Sequence, residues 1–271
     1  MPYSGLGSIR RLAEENKVPV IDVIDSSDEI ASFGDWIVGA GIYANGVGAE
    51  VAKFAKEELA INKAALLVGK DEYLLAVADG FERAFAGMGG AISAREEFLV
   101  GATDFRTQLL KIKNSGAQAI FVSHLGEGGL VVKQAVELGF SGVFLGSDTF
   151  SLADVQRAAG GLLDGRTYFA LWRNFDSITP EQQAFAERYK ARFGADPGDY
   201  LFYNVLGYDG LMVAAEALGN SDLSPESIKA ALYEIKNHGG LSGPITIDES
   251  GINRDPKSAI VMYKNGKIVR Y

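Results

Sequence analysis

The segment Gly116–Phe150, GAQAIFVSHLGEGGLVVKQAVELGFSGVFLGSDTF, constrains the fold more than any other part of this sequence. Ala117–Val122 is a short apolar run of the kind buried on both faces of a parallel sheet. Ser123–Gly129 is polar and glycine-rich. Leu130–Leu138 then places Leu130, Val131, Ala135 and Leu138 on one helical stripe, and Gly139 stops the helix. Gly142–Leu145 is a second buried strand, ending in Gly146-Ser147-Asp148. The whole is one βαβ unit. Its two strand ends point the same way and carry His124, Glu127 and Asp148, on the edge where open α/β sheets bind ligands.

Similar strand–helix alternation runs on both sides of this unit. Strands are predicted at Val18–Val23, Trp36–Val38, Ala64–Val68, Ala91–Phe98 and Arg166–Leu171. Helices are predicted at Ile9–Glu15, Val47–Leu59, Leu74–Phe85 and Leu152–Ala159, with Pro2–Ser8 and Asp25–Asp28 as loops. Thr103 reads as the N-cap of a helix over Asp104–Lys113. Thr179-Pro180 starts a long helix to Phe193, Tyr200–Leu218 is a largely apolar core helix, and Ser224-Pro225-Glu226 opens another. Pro244–Ile247, Ala259–Tyr263 and Lys267–Arg270 read as a terminal β-meander, with Asn265-Gly266 as a hairpin turn. The pattern implies an α/β fold with a mostly parallel sheet.

Composition excludes several functions. The formal net charge of -9, from 35 acidic and 26 basic residues, leaves no basic stripe to neutralise nucleic-acid phosphates. Cysteine is absent, so disulfides, thiolate metal sites and cysteine nucleophiles are ruled out. No apolar run approaches the ~20 residues of a membrane span. Met1–Ile9 lacks the basic and apolar regions of a signal peptide.

Gly39-Ala40-Gly41-Ile42-Tyr43-Ala44 fits the dinucleotide fingerprint, with Asp71 as a ribose partner. Against it, the recognisable helix starts at Val47, so no helix N-terminus meets a pyrophosphate, and Asp71 lies well beyond the expected ~20 residues. The alternative is a glycine-rich crossover. Phosphate-loop, zinc-protease and serine-hydrolase signatures are missing. No metal set or cofactor is indicated. His238 reads as a solvated loop residue. Ser26, Tyr73, His124 and Asp148 remain, each just past a strand. Together they offer the hydroxyl, aromatic and carboxylate types that a small zwitterion requires. Singly, each has a structural explanation: a helix cap for Ser26, rim packing for Tyr73, a loop hydrogen bond for His124 and an N-cap for Asp148.

Five runs, AEENKVPVID (Ala13–Asp22), GATDFRTQLLKIKNSGAQAIFV (Gly101–Val122), VVKQAVELGF (Val131–Phe140), FAERYKARFGADP (Phe185–Pro197) and GPITIDESG (Gly243–Gly251), resemble type I periplasmic binding proteins of the leucine/isoleucine/valine-binding family. The resemblance keeps family order over essentially the whole chain. It implies two α/β lobes joined by three crossovers: residues 1–43 and 172–255 form lobe 1, and 44–171 with 256–271 form lobe 2. Non-catalytic capture of a small polar ligand is implied, most naturally a branched-chain-type amino acid delivered to an ABC permease from the periplasm. A ligand sensor of the same fold is the alternative, and a nucleotide-binding enzyme a more distant one.

The resemblance also assigns residues. Ser4 and Ser26 fall at carboxylate-gripping positions, Tyr73 at a ligand-loop tyrosine, and His124 in a loop where an aromatic often stands. Asp148 takes the place of the ammonium partner, and Tyr200 that of a pocket-lining aromatic. Two departures stand out. Leu74 replaces a usual glycine, and Asp22-Val23-Ile24-Asp25 replaces a Ser-Pro-Ser-Ala loop, putting acids where an anion would sit. Family members also begin with a further portion of the first lobe, about two βαβ units of ~30 residues each. A lobe lacking it is expected to expose a sheet edge and apolar helix faces, and self-association of copies would cover that gap.

Overall fold

The computed structural model describes residues 4–271, except for the side chains of residues 4, 5, 25 and 199. The chain forms two compact units: Met1–Ala44 with Ser177–Lys257, and Asn45–Asp176 with Ser258–Tyr271.

In the first unit, α1 (Ser4–Asn16) leads to β1 (Val20–Asp22), β2 (Asp25–Ser26), β3 (Ile37–Gly39) and β4 (Ile42–Tyr43). The loop expected over Pro2–Ser8 is helical from Ser4 onward, because Leu6 and Ala13 share the face that packs on Phe33 and Trp36. β1 pairs in parallel with β3, and β2 with β4, so the expected loop at Asp25 begins as a short strand. Gly39 and Gly41 are dictated by packing. A Cβ on Gly39 would lie 2.5 Å from the Ser26 Cβ, and one on Gly41 2.5 Å from the Ile24 carbonyl oxygen. Strand β4 separates these glycines from the following helix, so the fingerprint-like run is a crossover and not a phosphate turn.

The second unit takes up α2 (Ala44–Glu57) from Asn45 onward and continues as β5 (Lys63–Gly69), α3 (Glu72–Gly87), β6 (Ala91–Phe98), α4 (Arg106–Asn114), β7 (Ala119–Ser123), α5 (Gly128–Glu137), β8 (Val143–Gly146), α6 (Ala153–Ala159) and β9 (Thr167–Trp172). Its five parallel strands lie in the order β6-β5-β7-β8-β9. Numbered along the chain this is the doubly wound order 2-1-3-4-5, whose switch point falls between β5 and β7. β7 is buried throughout, as a strand covered on both faces must be. One face packs Leu67, Ile120, Val122 and Phe144 on α4, α5 and α6 through Leu109, Val131, Val132 and Val155. On the other, Phe81 of α3 stacks on Phe121 at 4.3 Å. α2 and α3 cross at glycines: a Cβ on Gly48 would lie 1.9 Å from the Val77 oxygen, and one on Gly80 2.0 Å from the Asn45 oxygen.

Thr103 does not cap α4. The Gln134 side chain donates to the Thr103 carbonyl at 2.8 Å and accepts from the Phe105 amide at 2.8 Å, which holds this segment out of the helix until Arg106.

The first unit resumes with α7 (Pro180–Phe193), α8 (Leu201–Gly219), α9 (Pro225–Tyr233), β10 (His238–Gly240) and β11 (Gly243–Ile245). Thr179 and Gln182 make a reciprocal capping box at the start of α7. α8 buries Val205, Leu206, Val213 and Ala217 but exposes Tyr203, Leu211 and Leu218, so only one face of this apolar helix enters the core. Asp209 anchors it, accepting from the Leu241 and Ser242 amides at 2.7 and 2.8 Å and from the Ser242 hydroxyl at 2.5 Å.

The expected terminal meander is split. β11 pairs with β10, whereas β12 (Ser258–Lys264) and β13 (Lys267–Arg270) form a hairpin on the antiparallel edge of the second unit's sheet, beside β9. The turn after Gly240 supplies β11 with a nearer partner than β12.

Candidate functional site

A grouping of polar side chains lies at the carboxyl ends of β5, β7 and β8 in the second unit. Past β5, Asp71 caps α3 by accepting from the Tyr73 and Leu74 amides at 3.0 and 3.4 Å. That cap sets Tyr73 in the first turn, and its hydroxyl donates to Asp148 Oδ1 at 2.8 Å. Leu74 is accommodated by Gly69, where a Cβ would lie 2.6 Å from the Leu74 Cδ1.

Past β8, Asp148 opens a 3-10 turn over Asp148–Ser151 and is half-buried. Burial raises its pKa above the ordinary carboxylate value, against the opposing hydrogen bonds from Tyr73 and Ser147. The neighbouring Ser147 and Thr149 hydroxyls lie 3.3 Å apart. At the end of β7, Ser123 donates to the Leu74 carbonyl at 2.9 Å, tying the β7 exit to α3.

His124 follows and is fully buried. Its ring meets Phe150 edge-on with centroids 4.7 Å apart, and among the described residues neither ring nitrogen has a hydrogen-bond partner. The ring also explains Gly128, on which a Cβ would lie 2.2 Å from Nε2. Burial lowers the His124 pKa to about 4, with the Glu127 charge opposing it, so the imidazole is neutral at ordinary pH.

Glu127 has a role that residue type alone did not reveal. Its carboxylate accepts from Gly101 N at 2.6 Å and from Leu125 N and Gly126 N at 3.0 Å each. Burial pushes its pKa up, yet backbone hydrogen bonds from Gly101, Leu125 and its own amide, together with the His124 interaction, outweigh that and hold it below the ordinary value. Glu127 thereby ties the loop after β6 to the loop after β7. The sequence signals were its place on the strand-end edge and its position between Gly126 and Gly128.

The other three positions lie in the first unit. Ser26 is fully buried and donates to the Ile42 carbonyl at 3.1 Å. Tyr200 is 72% exposed just before α8. The Ser4 side chain lies outside the described residues. Asp22 Oδ1 accepts from the Ile24 amide at 3.2 Å. Tyr73, His124 and Asp148 are thus brought to one sheet edge, with Tyr73 and Asp148 in direct contact. Among the described residues no group of His, Asp and Glu could hold a metal ion, and no helix is long and apolar enough to cross a membrane.

The doubly wound sheet, with polar side chains at its switch-point edge, belongs to a fold found widely in solved structures. A leucine binding protein from Thermotoga maritima superposes with a TM-score of 0.79 at 26% identity, covering 97% of this chain and 75% of that one. A periplasmic binding protein type 1 from Bordetella pertussis has a TM-score of 0.80 at 17% identity, over 97% of this chain and 76% of that one. The fold is that of the type I periplasmic binding proteins.

The chain belongs to the periplasmic binding protein family, whose sequence profile it matches over residues 1–267. A Leu/Ile/Val-binding protein homolog of Brucella abortus is 26% identical over 216 residues, which is 78% of this chain and 56% of that protein. A leucine-, isoleucine-, valine-, threonine- and alanine-binding protein of Pseudomonas aeruginosa is 24% identical over 241 residues, 88% of this chain and 63% of its own length. The chain therefore spans little more than half the length of the Brucella relative.

Proposed function

We propose that this protein binds an amino acid of the branched-chain type without transforming it and presents it to an ABC permease, working in the periplasm. The observation that carries the reading is the Asp148 carboxylate, half-buried at the switch-point edge and held by the Tyr73 hydroxyl at 2.8 Å. A carboxylate there is suited to a ligand ammonium group, which supplies donors and a compensating charge. Family membership and the ligands in the names of the Brucella, Pseudomonas and Thermotoga relatives support the same assignment.

In this reading the two units are the two lobes, and Ser4, Ser26 and Tyr200 are the first lobe's contribution. Tyr73, His124 and Asp148 are the second's. His124 acts from behind, because its ring is buried and neutral, shaping the turn that carries Asp148 through Phe150. Ser26 contributes through its backbone, since its hydroxyl is directed to Ile42. Self-association belongs to the proposal as well: Tyr203, Leu211 and Leu218 form an uncharged exposed stripe on α8 that a second copy would cover. A purely monomeric sedimentation profile would count against that part.

The central test is calorimetry and thermal shift of the whole chain against the protein amino acids. Leucine, isoleucine or valine should raise the melting temperature and titrate to a single site. If no amino acid does either, the reading fails.

A further inference from the structure

Three chain connections join the two units, at 44/45, 176/177 and 257/258. Relative motion of such units is the default expectation, and it is absorbed by a few residues around the connections. What ties the connecting segments to one another therefore matters.

Two of the three are tied together. On the first unit's side, β3 and the segment before Lys257 run side by side: Gly39 N donates to the Gly251 carbonyl and Asn253 N to the Gly39 carbonyl, each at 2.8 Å. Close to the connections, Arg254 reaches across. Its Nη1 donates to the Tyr43 hydroxyl at 2.8 Å and to Asp28 Oδ1 at 3.0 Å, while Nε donates to Asp248 Oδ2 at 2.5 Å. The Tyr43 hydroxyl donates onward to Asp28 Oδ1 at 2.6 Å, and the guanidinium lies 5.2 Å from the Tyr43 ring centroid. On the second unit's side the same two segments meet again, where the Ser258 hydroxyl donates to Glu50 of α2. The connection at 176/177 is held separately: Arg270 of β13 donates to Asp176 at 2.8 Å and to the Arg173 carbonyl at 2.7 Å.

From this arrangement we infer that Arg254 is a positioning residue that binds the connections at 44/45 and 257/258 into one hinge. Arg254 suits the task because its planar fork engages two carboxylates and a phenol at once, which a lysine cannot do. Burial lowers the Arg254 pKa, but its bonds to Asp248 and Asp28 outweigh that and raise it overall. Tyr43 is pushed up to about 12 by burial and by Asp28, so the phenol keeps its proton at neutral pH. Without this clamp the two connections would flex independently and the angle between the units would be less restricted.

The test uses the ligand-free whole chain, so its outcome is independent of the ligand assignment. Because the sequence holds no cysteine, K133C and K190C place one dye on an exposed position in each unit. Arg254→Met should broaden the inter-unit distance distribution read by single-molecule energy transfer, and Arg254→Lys should restore it only partly. Tyr43→Phe, which keeps the ring, should broaden it to a lesser degree and serves if Arg254→Met does not fold. Lys229→Met is the control: Lys229 also pairs with a carboxylate, Asp35, and stacks on Trp36 at 4.6 Å, but it lies far from every connection in the sequence. It should lower thermal stability and leave the distribution unchanged. An unchanged distribution in both the Arg254→Met and Tyr43→Phe proteins, or equal broadening in the control, overturns the inference.

Discussion

Tyr73 and Asp148 come from loops two strands apart in the sheet, yet the tyrosine hydroxyl donates to the carboxylate at 2.8 Å. An amine ligand bound at Asp148, as proposed, would share or replace a bond the protein already makes to itself. Asp148→Asn should weaken amino-acid binding by at least about 30-fold, the scale of about 2 kcal/mol for losing one partner of a buried charge pair. Tyr73→Phe should cost less, about tenfold. Calorimetry reads both, and an unchanged dissociation constant for Asp148→Asn removes the ammonium-partner assignment.

The same carboxylate sets a stability trend. Its pKa is raised in the folded protein, so the native state holds the proton more tightly than the unfolded chain does. That contribution is present in full below the unfolded value and is lost as pH rises through the folded one. Asp148→Asn should therefore melt at a higher temperature than the wild type at neutral pH, and the gap should close toward acid. A gap that instead widens toward acid contradicts the direction.

His124 works in the opposite sense. Its pKa falls to about 4 from an ordinary 6.5, so between those values the unfolded chain takes up a proton that the native state refuses. Stability is lost as pH falls from 6.5 toward 4, by roughly 3 kcal/mol if the whole shift is realised. His124→Phe keeps an aromatic ring beside Phe150 and removes two unpartnered nitrogens. Its melting temperature should vary less with pH across this window than that of the wild type. Parallel curves for the two proteins would show that His124 does not titrate in this way.

Asp209 holds α8 to the turn between β10 and β11. Asp209→Ala strands the Leu241 and Ser242 amides and the Ser242 hydroxyl, and should cost about 2–4 kcal/mol in denaturant unfolding. A loss below 1 kcal/mol would mean that water satisfies these donors at little expense.

Two glycines of α3 make an internal comparison. A Cβ at Gly80 meets the Asn45 carbonyl oxygen at 2.0 Å, whereas at Gly87 it meets nothing within 4 Å among the described residues. Gly80→Ala should destabilise by about 3 kcal/mol or more, by forcing α2 and α3 apart. Gly87→Ala should stabilise by about 0.5 kcal/mol, through backbone entropy alone. Similar melting temperatures for the two variants would contradict the close helix crossing.

The second unit was largely legible in the sequence because its strands are short apolar runs separated by amphipathic helices, a pattern local enough to read by period. Ala64–Val68, Ala91–Phe98 and Ala117–Val122 each contain or lie within two residues of a strand of the sheet. The failures share a cause, a pairing partner that the local pattern does not name. Thr103 is a good cap by composition, but Gln134 claims the segment. Pro244–Ile247 has strand character, but its partner is the turn upstream and not the hairpin downstream. For the candidate site, strand ends told which residues reach the sheet edge but not which way they turn. Ser26 and His124 face inward, and Glu127 spends its carboxylate on three amides.

The β12–β13 hairpin has a consequence for how the chain is made. β9 is the last of the parallel strands, and its outer edge is covered by residues 258–264, translated only after the whole of the first unit. During synthesis the sheet of the second unit must wait with Phe169 and Leu171 on an unpaired edge while some eighty intervening residues, Ser177–Lys257, leave the ribosome. An exposed apolar edge of this sort is what recruits other nascent strands. The order of translation thus makes the nascent chain most vulnerable to mispairing after its largest sheet has formed.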